Sequence, residues 1–508
     1  MKWWFKVTKG IFSQIKKHSS ILFILGYSLI LGPLIYSVFQ SGFHYLFNGD
    51  EFCHIQTAYL ILNGERPFDT FFSGYTPIFH WFIAPIYYFI GFNFKAIFFN
   101  RFVMIVLLGL RILVTFFLVR KIFGKWIALL FIPLSLFDVF TVYSGMQVRP
   151  DNLALFFLAL GLLCLVYGLE RRFLVLLPIS GFILSLSVLT LLKTLPSVFF
   201  TGIVIFAFLL FRRRYKDLSF FISGLLLSVL ILFGYFFIRG SITELINQVF
   251  IEPAQILNYW WSYAPFGMFL NPYNENIYGL NGRPVSWVYM WVLLFMGAIG
   301  IFQTYLSIVQ KRKLGPETVM RIILVLSAFG QWVSLFFVVS VYVQYYMQVT
   351  WLITVFSAVF IAGLLDSLVI YKKVRLLTLG IVILLIFYVG FGSVKANLAR
   401  AKVTWSEQVT GIEASWKKFP EKTLVYPNIL FRPLAYPLPP GYYLENFPKS
   451  RLDKLPDLPT RLEQKKVQYL TISDSTLINF ADFRPNWKYY IETHFEKDQE
   501  SGIWHRIQ

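Results

Sequence analysis

Two adjacent carboxylates, Asp50 and Glu51, are the residues of this sequence best suited to do chemistry. They follow the first long apolar segment, in the stretch FNGDEFCHIQTAYLILNGERPFDTFFSGYTPIFHW. A carboxylate at a membrane surface has to be solvated, paired or used, because an unpaired charge in lipid is costly. An interpretation of function therefore begins with what these two acids face.

Further ionisable residues occur next to later apolar segments. The short loop SGMQVRPDN carries Arg149 and Asp151, and Lys193 lies between two more apolar runs. Structural alternatives stay open at this point. The acids at 50 and 51 favour a helix N-terminus by capping and by the helix dipole, Arg149 and Asp151 form a local ion pair, and Lys193 snorkels to the membrane surface.

The composition indicates a polytopic membrane protein. Hydrophobic residues make up 57% of the 508 residues and charged residues only 14%, far more apolar surface than a globular core of this length needs. Eleven apolar runs approach the length of a membrane-spanning helix. They lie at 21–39, 97–119, 126–143, 152–169, 173–192, 195–211, 218–238, 286–309, 321–340, 350–370 and 376–394.

A further apolar stretch, 77–92, decides the topology. It begins at Pro77 and is interrupted by Pro85. If it is a shallow or re-entrant helix on the outer face, the inner loops collect 21 Lys and Arg and the outer loops six. That asymmetry predicts a multi-pass protein with its N-terminus in the cytoplasm and its C-terminus outside. The net charge of +20 then reflects contact of the cytoplasmic face with membrane lipids rather than binding to nucleic acid.

Two domains are expected. Residues 1–396 form the membrane domain, and 397–508 form a small extracytoplasmic α/β domain whose polar composition is that of an ordinary soluble surface. Strand-like runs predict its sheet, and a charged segment near 458–466 predicts a helix. The strand-like runs are KTLVYPNILF, VQYLTIS, KYYIETHF and GIWHRI.

The elements that must position the acids lie in the first outer loop, residues 40–96. Residues 50–62 have a helical pattern with Asn48 or Asp50 as N-cap, and Asp50 and His54 fall one turn apart on one face. Glu51 is turned about a quarter turn away. An apolar stripe on this helix suggests that it lies on the bilayer surface. The stripe consists of Phe52, Ile55, Tyr59 and Leu62.

This first loop resembles that of a known group. After the Asp50-Glu51 pair, the pattern continues with Gly64, Pro67, Phe68 and Asp69 and with the helix start Tyr75-Thr76-Pro77. It is similar to the polytopic glycosyltransferases of the GT-C fold, in particular the family 39-like branch of protein O-mannosyltransferases and aminoarabinose transferases. The motifs cover about residues 1–200, and the remainder is similar by layout. The family often has Pro-Pro where this chain has Thr76-Pro77.

The resemblance implies a reaction. Members move a sugar from a polyprenyl-phosphate carrier to a glycan, lipid or protein acceptor on the outer face, here of a prokaryotic plasma membrane. Inversion at the sugar carbon needs a carboxylate base, and the phosphate leaving group needs cations. Asp50 is the expected base, with Glu51 and His54 in support and Asp151 as second carboxylate. The expected substrate-binding residues are His54, Tyr75, His80, Arg149, Lys193 and Arg283.

Several alternatives remain. The resemblance implies no required cofactor but leaves Mg²⁺ or Mn²⁺ open, with Asp50 and Asp151 as oxygen ligands. His80 alone makes no metal site, and a core or interfacial position is its alternative. The long outer loop 239–285 either contributes an interfacial aromatic belt or stacks on sugars. Its aromatic residues are Tyr259, Trp260, Trp261 and Tyr263.

Two other classes of function stay open beside the transferase. A transporter or flippase for a lipid-linked sugar would show repeated halves and ionisable groups near the membrane midplane, whereas these acids cluster near one face and no repeat is found. A non-catalytic scaffold acting through the C-terminal domain is the third. Arg111, within a predicted span, is expected to face the interior of the helix bundle.

Overall fold

The computed structural model describes residues 25–170, 173–255, 285–310, 314–337, 343–367, 372–402, 404–419, 430–433, 455, 457–500 and 502–507. The first part of the membrane domain consists of helices α1 to α10. They are α1 (25–44), α2 (Gly49–Leu62), α3 (Ile78–Ile90), α4 (Phe94–Phe123), α5 (Lys125–Phe137), α6 (Val139–Met146), α7 (Pro150–Leu169), α8 (Leu176–Thr190), α9 (Leu195–Phe211) and α10 (Tyr215–Ile238).

The second part runs from residue 242 to residue 400. Helix α11 (Ile242–Ile246) continues through a π-helical turn, Asn247–Ile251, into α12 (Glu252–Gln255). Four longer helices follow: α13 (Val285–Gln310), α14 (Pro316–Ser334), α15 (Tyr346–Ser367) and α16 (Lys372–Arg400). Ten of the eleven predicted spans therefore overlap a single helix in the described residues, and the run 126–143 is divided between α5 and α6.

The length and composition of the helices support a multi-pass protein. Six described helices are long and apolar enough to cross a membrane, and α5 and α6, bent by 68° at Asp138, count as a seventh if they form one span. Helix α8, with 15 residues, is shorter. The count of eleven crossings stays a prediction.

The stretch 77–92 forms the 13-residue helix α3, with Pro85 inside it. At 1.5 Å per residue this helix is about 20 Å long, which is shorter than the hydrocarbon core of a bilayer. Its buried residues include Phe79, Ile83 and Tyr87, which pack with α2 and α4. These dimensions fit the shallow or re-entrant helix that the sequence predicts.

Two ionisable residues among the membrane helices, Asp138 and Arg111, are buried in the bundle interior. Asp138 caps α6 at the bend, where its carboxylate accepts hydrogen bonds from the Phe140 N–H at 3.1 Å and the Thr350 hydroxyl at 2.5 Å. Arg111 is 1% exposed and donates to the Met347 sulfur at 3.4 Å. The expectation for Arg111 is confirmed by its burial.

Helix α2 is confirmed nearly as predicted, and Asn48 is its N-cap. The Asn48 side chain accepts a hydrogen bond from the Asp50 N–H at 3.0 Å, and the Asn48 N–H donates to Glu51 at 2.8 Å. This reciprocal capping box satisfies donors that a helix start leaves unpaired. The apolar stripe was predicted to lie on the bilayer and instead packs against α3, α4 and the C-terminal tail.

The C-terminal tail begins with α17 (Ser406–Lys418) and ends in a small α/β unit. That unit contains α18 (Leu458–Gln464), α19 (Asp474–Phe483) and α20 (Pro485–His494). Its described strands are β1 (Tyr469–Leu470), β2 (Phe495–Lys497) and β3 (Trp504–Arg506), joined in the antiparallel order β1-β3-β2. In register, Tyr469 pairs with His505 and Glu496 with His505 from the other side.

One strand prediction in the tail is wrong and two are confirmed. The runs VQYLTIS and GIWHRI contain β1 and β3, and the predicted helix near 458–466 is α18. The run KYYIETHF is mostly helix α20, because Pro485 starts a helix and the four-residue spacing buries Trp487 and Ile491 on one face. The run KTLVYPNILF lies almost entirely outside the described residues.

Candidate active site

The site is built from three chain segments that meet at one end of the bundle. Asp50 lies in the first turn of α2, Arg149 and Asp151 lie at the start of α7, and Lys193 lies in a short 3₁₀ turn, Leu192–Thr194, before α9. We call this end of the bundle the site end.

Local sequence explains how Arg149 is presented. Pro150 occupies the first position of α7, and a residue before proline is pushed into an extended conformation. Arg149 accordingly has φ −142° and ψ 152°, so it stands outside the helix at its N-terminus. Asp151 occupies the first turn of the same helix, where a negative charge is favoured by the helix dipole.

The four charged side chains form one continuous chain of alternating sign. The Arg149 guanidinium donates to Asp50 at 2.5 Å and lies 3.5 Å from Asp151. The Lys193 ammonium donates to the other oxygen of Asp151 at 3.1 Å and lies 3.8 Å from the centre of the Tyr345 ring. Arg149 is thus more than the local partner of Asp151, and Lys193 does not snorkel.

Exposure separates the two carboxylates of this cluster. The Asp50 side chain is 50% exposed, whereas Asp151 is 1% and Arg149 2% exposed. Burial alone would lower the pKa of Arg149, but the nearby carboxylates of Asp50 and Asp151 outweigh it and raise the pKa. Arg149 therefore stays charged, and Asp50 presents the accessible carboxylate.

A pair of buried histidines lies beside the cluster. His54 Nδ1 and His80 Nε2 are 3.1 Å apart, so one ring donates a hydrogen bond to the other. The Tyr75 ring lies 5.0 Å from the His54 ring, centre to centre. Burial, reinforced by the positive charge of Arg149, lowers the pKa of His54 to about 3. His54 is therefore neutral at physiological pH.

Glu51 faces away from this cluster. Its buried carboxylate accepts hydrogen bonds from Arg101 Nε at 2.9 Å and Arg101 Nη2 at 2.6 Å, and from the Val148 N–H at 3.0 Å. Arg101 also donates to the carbonyls of Tyr45 and Leu46. Glu51 was grouped with the catalytic candidates, but its position ties α2 to α4 and to the loop before α7.

The loop before α3 is fastened by Thr76. Its hydroxyl donates to the Leu189 carbonyl at the end of α8. The threonine found where the resembling family often has proline is thus used to hold the loop. Arg283 lies outside the described residues, as do the aromatic residues predicted to act in the loop 239–285.

Arg101, Tyr345 and Gln348 were not identified from the sequence as residues of the site. The side-chain amide of Gln348 lies 3.3 Å from Asp151 Oδ1. Arg101 was detectable as an arginine inside an apolar run, close in topology to the acids. Tyr345 and Gln348 carry no charge, so no comparable signal marked them.

The residues present do not fit a divalent metal ion. Within the described ranges, no group of three His, Cys, Asp or Glu side chains is placed to hold one. Asp50 and Asp151, the ligands that the sequence offered, both face Arg149, and Asp151 also binds Lys193. A divalent cation between these carboxylates would meet two positive side chains at short range.

An apolar cavity lies along the first turns of α9. It lies between α9 and α14, has a volume of about 310 Å³ and begins at Leu195, two residues after Lys193. Its lining includes Leu195, Pro196, Phe199, Phe329, Val333 and Phe337.

Comparisons with known proteins agree with this architecture. Residues 75–238 match the family model of dolichyl-phosphate-mannose-protein mannosyltransferase. No curated protein matched the chain in a sequence search.

Solved structures match over almost the whole chain. ArnT from Cupriavidus metallidurans in the apo state is 15% identical with a TM-score of 0.58, covering 91% of this chain and 95% of ArnT. ArnT from the same organism bound to undecaprenyl phosphate is 14% identical with a TM-score of 0.52, covering 92% of this chain and 95% of ArnT. A third match is the archaeal oligosaccharyltransferase AglB from Archaeoglobus fulgidus, in complex with an inhibitory peptide and a dolichol-phosphate. It is 12% identical with a TM-score of 0.51, covering 94% of this chain and 74% of AglB.

These similarities confirm the resemblance inferred from the first loop. The structural matches each extend over more than nine tenths of the chain. The chain is a multi-pass membrane protein with the fold of the GT-C glycosyltransferases.

Proposed function

We propose that this protein transfers a sugar from a polyprenyl-phosphate carrier to an acceptor on the extracytoplasmic face of a membrane, with inversion at the sugar carbon. The observation that carries the proposal is the half-exposed Asp50 carboxylate beside the buried chain Arg149–Asp151–Lys193. This arrangement joins an accessible base to two fixed cations. A base and cations are what displacement of a phosphate leaving group requires.

The residues divide the reaction between them. Asp50 removes the proton from the acceptor hydroxyl. The hydroxyl oxygen of the acceptor attacks the anomeric carbon of the sugar at the same time. The bond from that carbon to the phosphate oxygen breaks, and the electron pair leaves with the polyprenyl phosphate. Lys193 and Arg149 stabilise the charge on the departing phosphate, while Asp151 holds both cations in place.

The lipid carrier has a candidate place between α9 and α14. The apolar cavity there begins at Leu195, two residues after Lys193 in the chain, and we propose that it holds the prenyl chain with the phosphate towards the ammonium group. ArnT bound to undecaprenyl phosphate and AglB in complex with a dolichol-phosphate support a carrier of this chemical class. We propose a metal-independent reaction because the carboxylates are already paired with cations.

The test is release of sugar from radiolabelled polyprenyl-phosphate sugars by the purified protein in detergent, with and without EDTA. We expect turnover that resists EDTA and that Asp50→Asn lowers by at least about 100-fold, since general-base catalysis contributes 10² to 10⁴. Asp69→Asn is the matched control, because Asp69 lies in the same loop and pairs with the exposed Arg66. Full activity in Asp50→Asn would refute the assignment of the base.

The other classes of function give different results in the same assay. A transporter or flippase would bind the lipid-linked sugar and move it across vesicles without releasing the sugar. A scaffold would do neither. The location of the charged cluster at one end of the bundle, rather than midway along the helices, favours the transferase over the transporter.

A further inference from the structure

Two glutamine side chains join the first outer loop to the C-terminal tail. One glutamine belongs to the loop and the other belongs to the tail. Gln408 of α17 accepts a hydrogen bond from the Phe47 N–H at 2.8 Å and donates to the Phe47 carbonyl at 2.9 Å. Gln56 of α2 accepts from the Phe431 N–H at 2.8 Å and donates to the Arg432 carbonyl. Each amide thus satisfies both a donor and an acceptor of an irregular backbone segment in the other partner.

Packing reinforces both contacts. The Phe431 ring is buried against Tyr59 of α2, with centres 5.8 Å apart, and against Tyr87 of α3 at 5.7 Å. The indole N–H of Trp405 donates to the Phe43 carbonyl at 2.7 Å, and that of Trp416 donates to the Leu430 carbonyl at 2.8 Å.

The backbone of Phe431 also indicates a tightly fixed contact. Its φ of 61° lies in the left-handed region, which disfavours residues with a side chain. Such a conformation persists when the surroundings determine it. The aromatic cluster and the Gln56 hydrogen bonds supply those surroundings.

The two contacts lie on either side of the reactive residues of α2. Phe47 comes three residues before Asp50, and Gln56 comes two residues after His54. Asp50 is half exposed, so its own side chain is not held by close packing. The position of its carboxylate relative to Arg149 therefore depends on the position of α2.

We propose that Gln408 and Gln56 are positioning residues through which the C-terminal tail fixes α2 and so places Asp50 for catalysis. This inference rests on the proposed transferase function. Its physical basis is that a displacement of about 1 Å in a reacting group can cost a hundredfold in rate. In the proposed function the donor phosphate is bound by Arg149 at the start of α7 and by Lys193 in the turn before α9, so we expect donor binding to depend less on the tail than catalysis does.

The test uses Gln408→Met and Gln56→Met in the full-length protein, because methionine keeps the length of the side chain and removes both hydrogen bonds. We expect kcat per folded molecule to fall about 10- to 100-fold, with the KM for the donor changed less than about twofold. In an Asp50→Asn background the same substitutions should cause no further loss, since they act through Asp50. The control is Thr410→Val, which alters an exposed residue of α17 whose hydroxyl donates to the Ser406 carbonyl of the same helix.

A second measurement needs no substrate. Amide hydrogen exchange of residues 49–62 should be faster by about tenfold in Gln408→Met than in the unmodified protein, and unchanged in Thr410→Val. If the unmodified protein turns over no donor, the proposed function fails while this measurement still decides the inference. Unchanged exchange, unchanged kcat, or a kcat loss that persists in the Asp50→Asn background would each overturn it.

Discussion

At the scale of single residues, one guanidinium contacts two carboxylates that differ in exposure. Arg149 contacts both Asp50 and Asp151, yet only Asp50 has half of its side chain exposed. A buried carboxylate held by two cations is suited to orienting them, because a free proton acceptor needs access to substrate. The difference in exposure, rather than residue type, is the reason for proposing Asp50 as the base and Asp151 as its support.

His54 leads to a prediction about pH. Its folded pKa of about 3 lies below the ordinary value of 6.5. Between these pH values the unfolded chain binds a proton that the folded chain excludes, so stability falls as the pH is lowered through 6.5. The loss from this group approaches about 1.4 kcal/mol per pH unit. We expect the free energy of unfolding to fall less steeply in His54→Gln than in the unmodified protein between pH 7.5 and 5.

The measurement is denaturant unfolding in detergent at several pH values. Thr57→Ser on the same helix adds no titrating group and should give a curve parallel to that of the unmodified protein. The absolute stability of His54→Gln is not the readout, because any change to a buried residue alters it. Equal pH slopes in His54→Gln and the unmodified protein would contradict the prediction.

Residue chemistry was predictable from sequence where it involved charge. Asp50, Arg149, Asp151 and Lys193 are brought together as the motif and loop positions indicated. The destination of Glu51 was not predictable, because a helical face pointing a quarter turn away specifies no partner. The neutral amides Gln56 and Gln408 are 352 positions apart in the sequence, and each contacts the backbone of a distant segment. No sequence pattern predicts such contacts before the chain is folded.

At the scale of elements, close helix crossings hold the bundle that carries α7. Helices α8 and α10 approach each other closely at Gly181 of α8 and Gly224 of α10. Each glycine faces the backbone of the opposite helix. A methyl group at Gly224 would fall on the Pro178 carbonyl, and one at Gly181 on the Phe221 carbonyl. Small residues allow such backbone contact between membrane helices.

This crossing predicts a strong effect of a small substitution. Gly224→Ala should destabilise the protein because backbone atoms cannot move aside as a side chain can, and overpacking costs about 1 to 3 kcal/mol or more. Gly202→Ala in α9 is the control, since no atom of the described residues outside the adjacent helix backbone lies within 4 Å of its added methyl. There alanine should be neutral or stabilising by up to about 1 kcal/mol. Thermal unfolding in detergent compares the two, and equal midpoints would count against the crossing.

Elements were predicted well in the membrane and less well in the tail, for a physical reason. A long apolar run has only one favourable state in a bilayer, which is helix. In the tail, the short run KYYIETHF suits strand or helix, and burial of Trp487 with Ile491 selects α20. The surface of α2 shows the same limit, because its apolar stripe marks a buried face without specifying whether lipid or protein covers it.

At the scale of the whole molecule, the ends of the bundle differ in chemistry. Helix α9 runs from the turn that holds Lys193 to Phe211, after which Arg212, Arg213 and Arg214 follow. At 1.5 Å per residue this helix is about 26 Å long, so the arginines lie at the end opposite the site. The positive-inside rule then predicts that the arginines lie in the cytoplasm and the charged cluster outside.

Labelling of cysteine at two positions, the native Cys53 and a substituted Lys216, tests this orientation directly. Cys53 is exposed on α2 at the site end, and Lys216 is exposed at the opposite end. In spheroplasts, a membrane-impermeant maleimide should label Cys53 in a Cys164→Ala variant from outside. Lys216→Cys, made with Cys53→Ser and Cys164→Ala, should be labelled only after the membrane is permeabilised.

The reverse pattern would place Asp50 and Lys193 in the cytoplasm, where a nucleotide-linked sugar is an available donor and a lipid-linked one is not required. Orientation is therefore more than a topological detail for this protein. The predicted pattern places the charged cluster on the side where an energy-rich nucleotide is absent and the lipid carrier must supply the leaving group. Labelling of Cys53 from outside would thus support the lipid-phosphate donor independently of any assay of transfer.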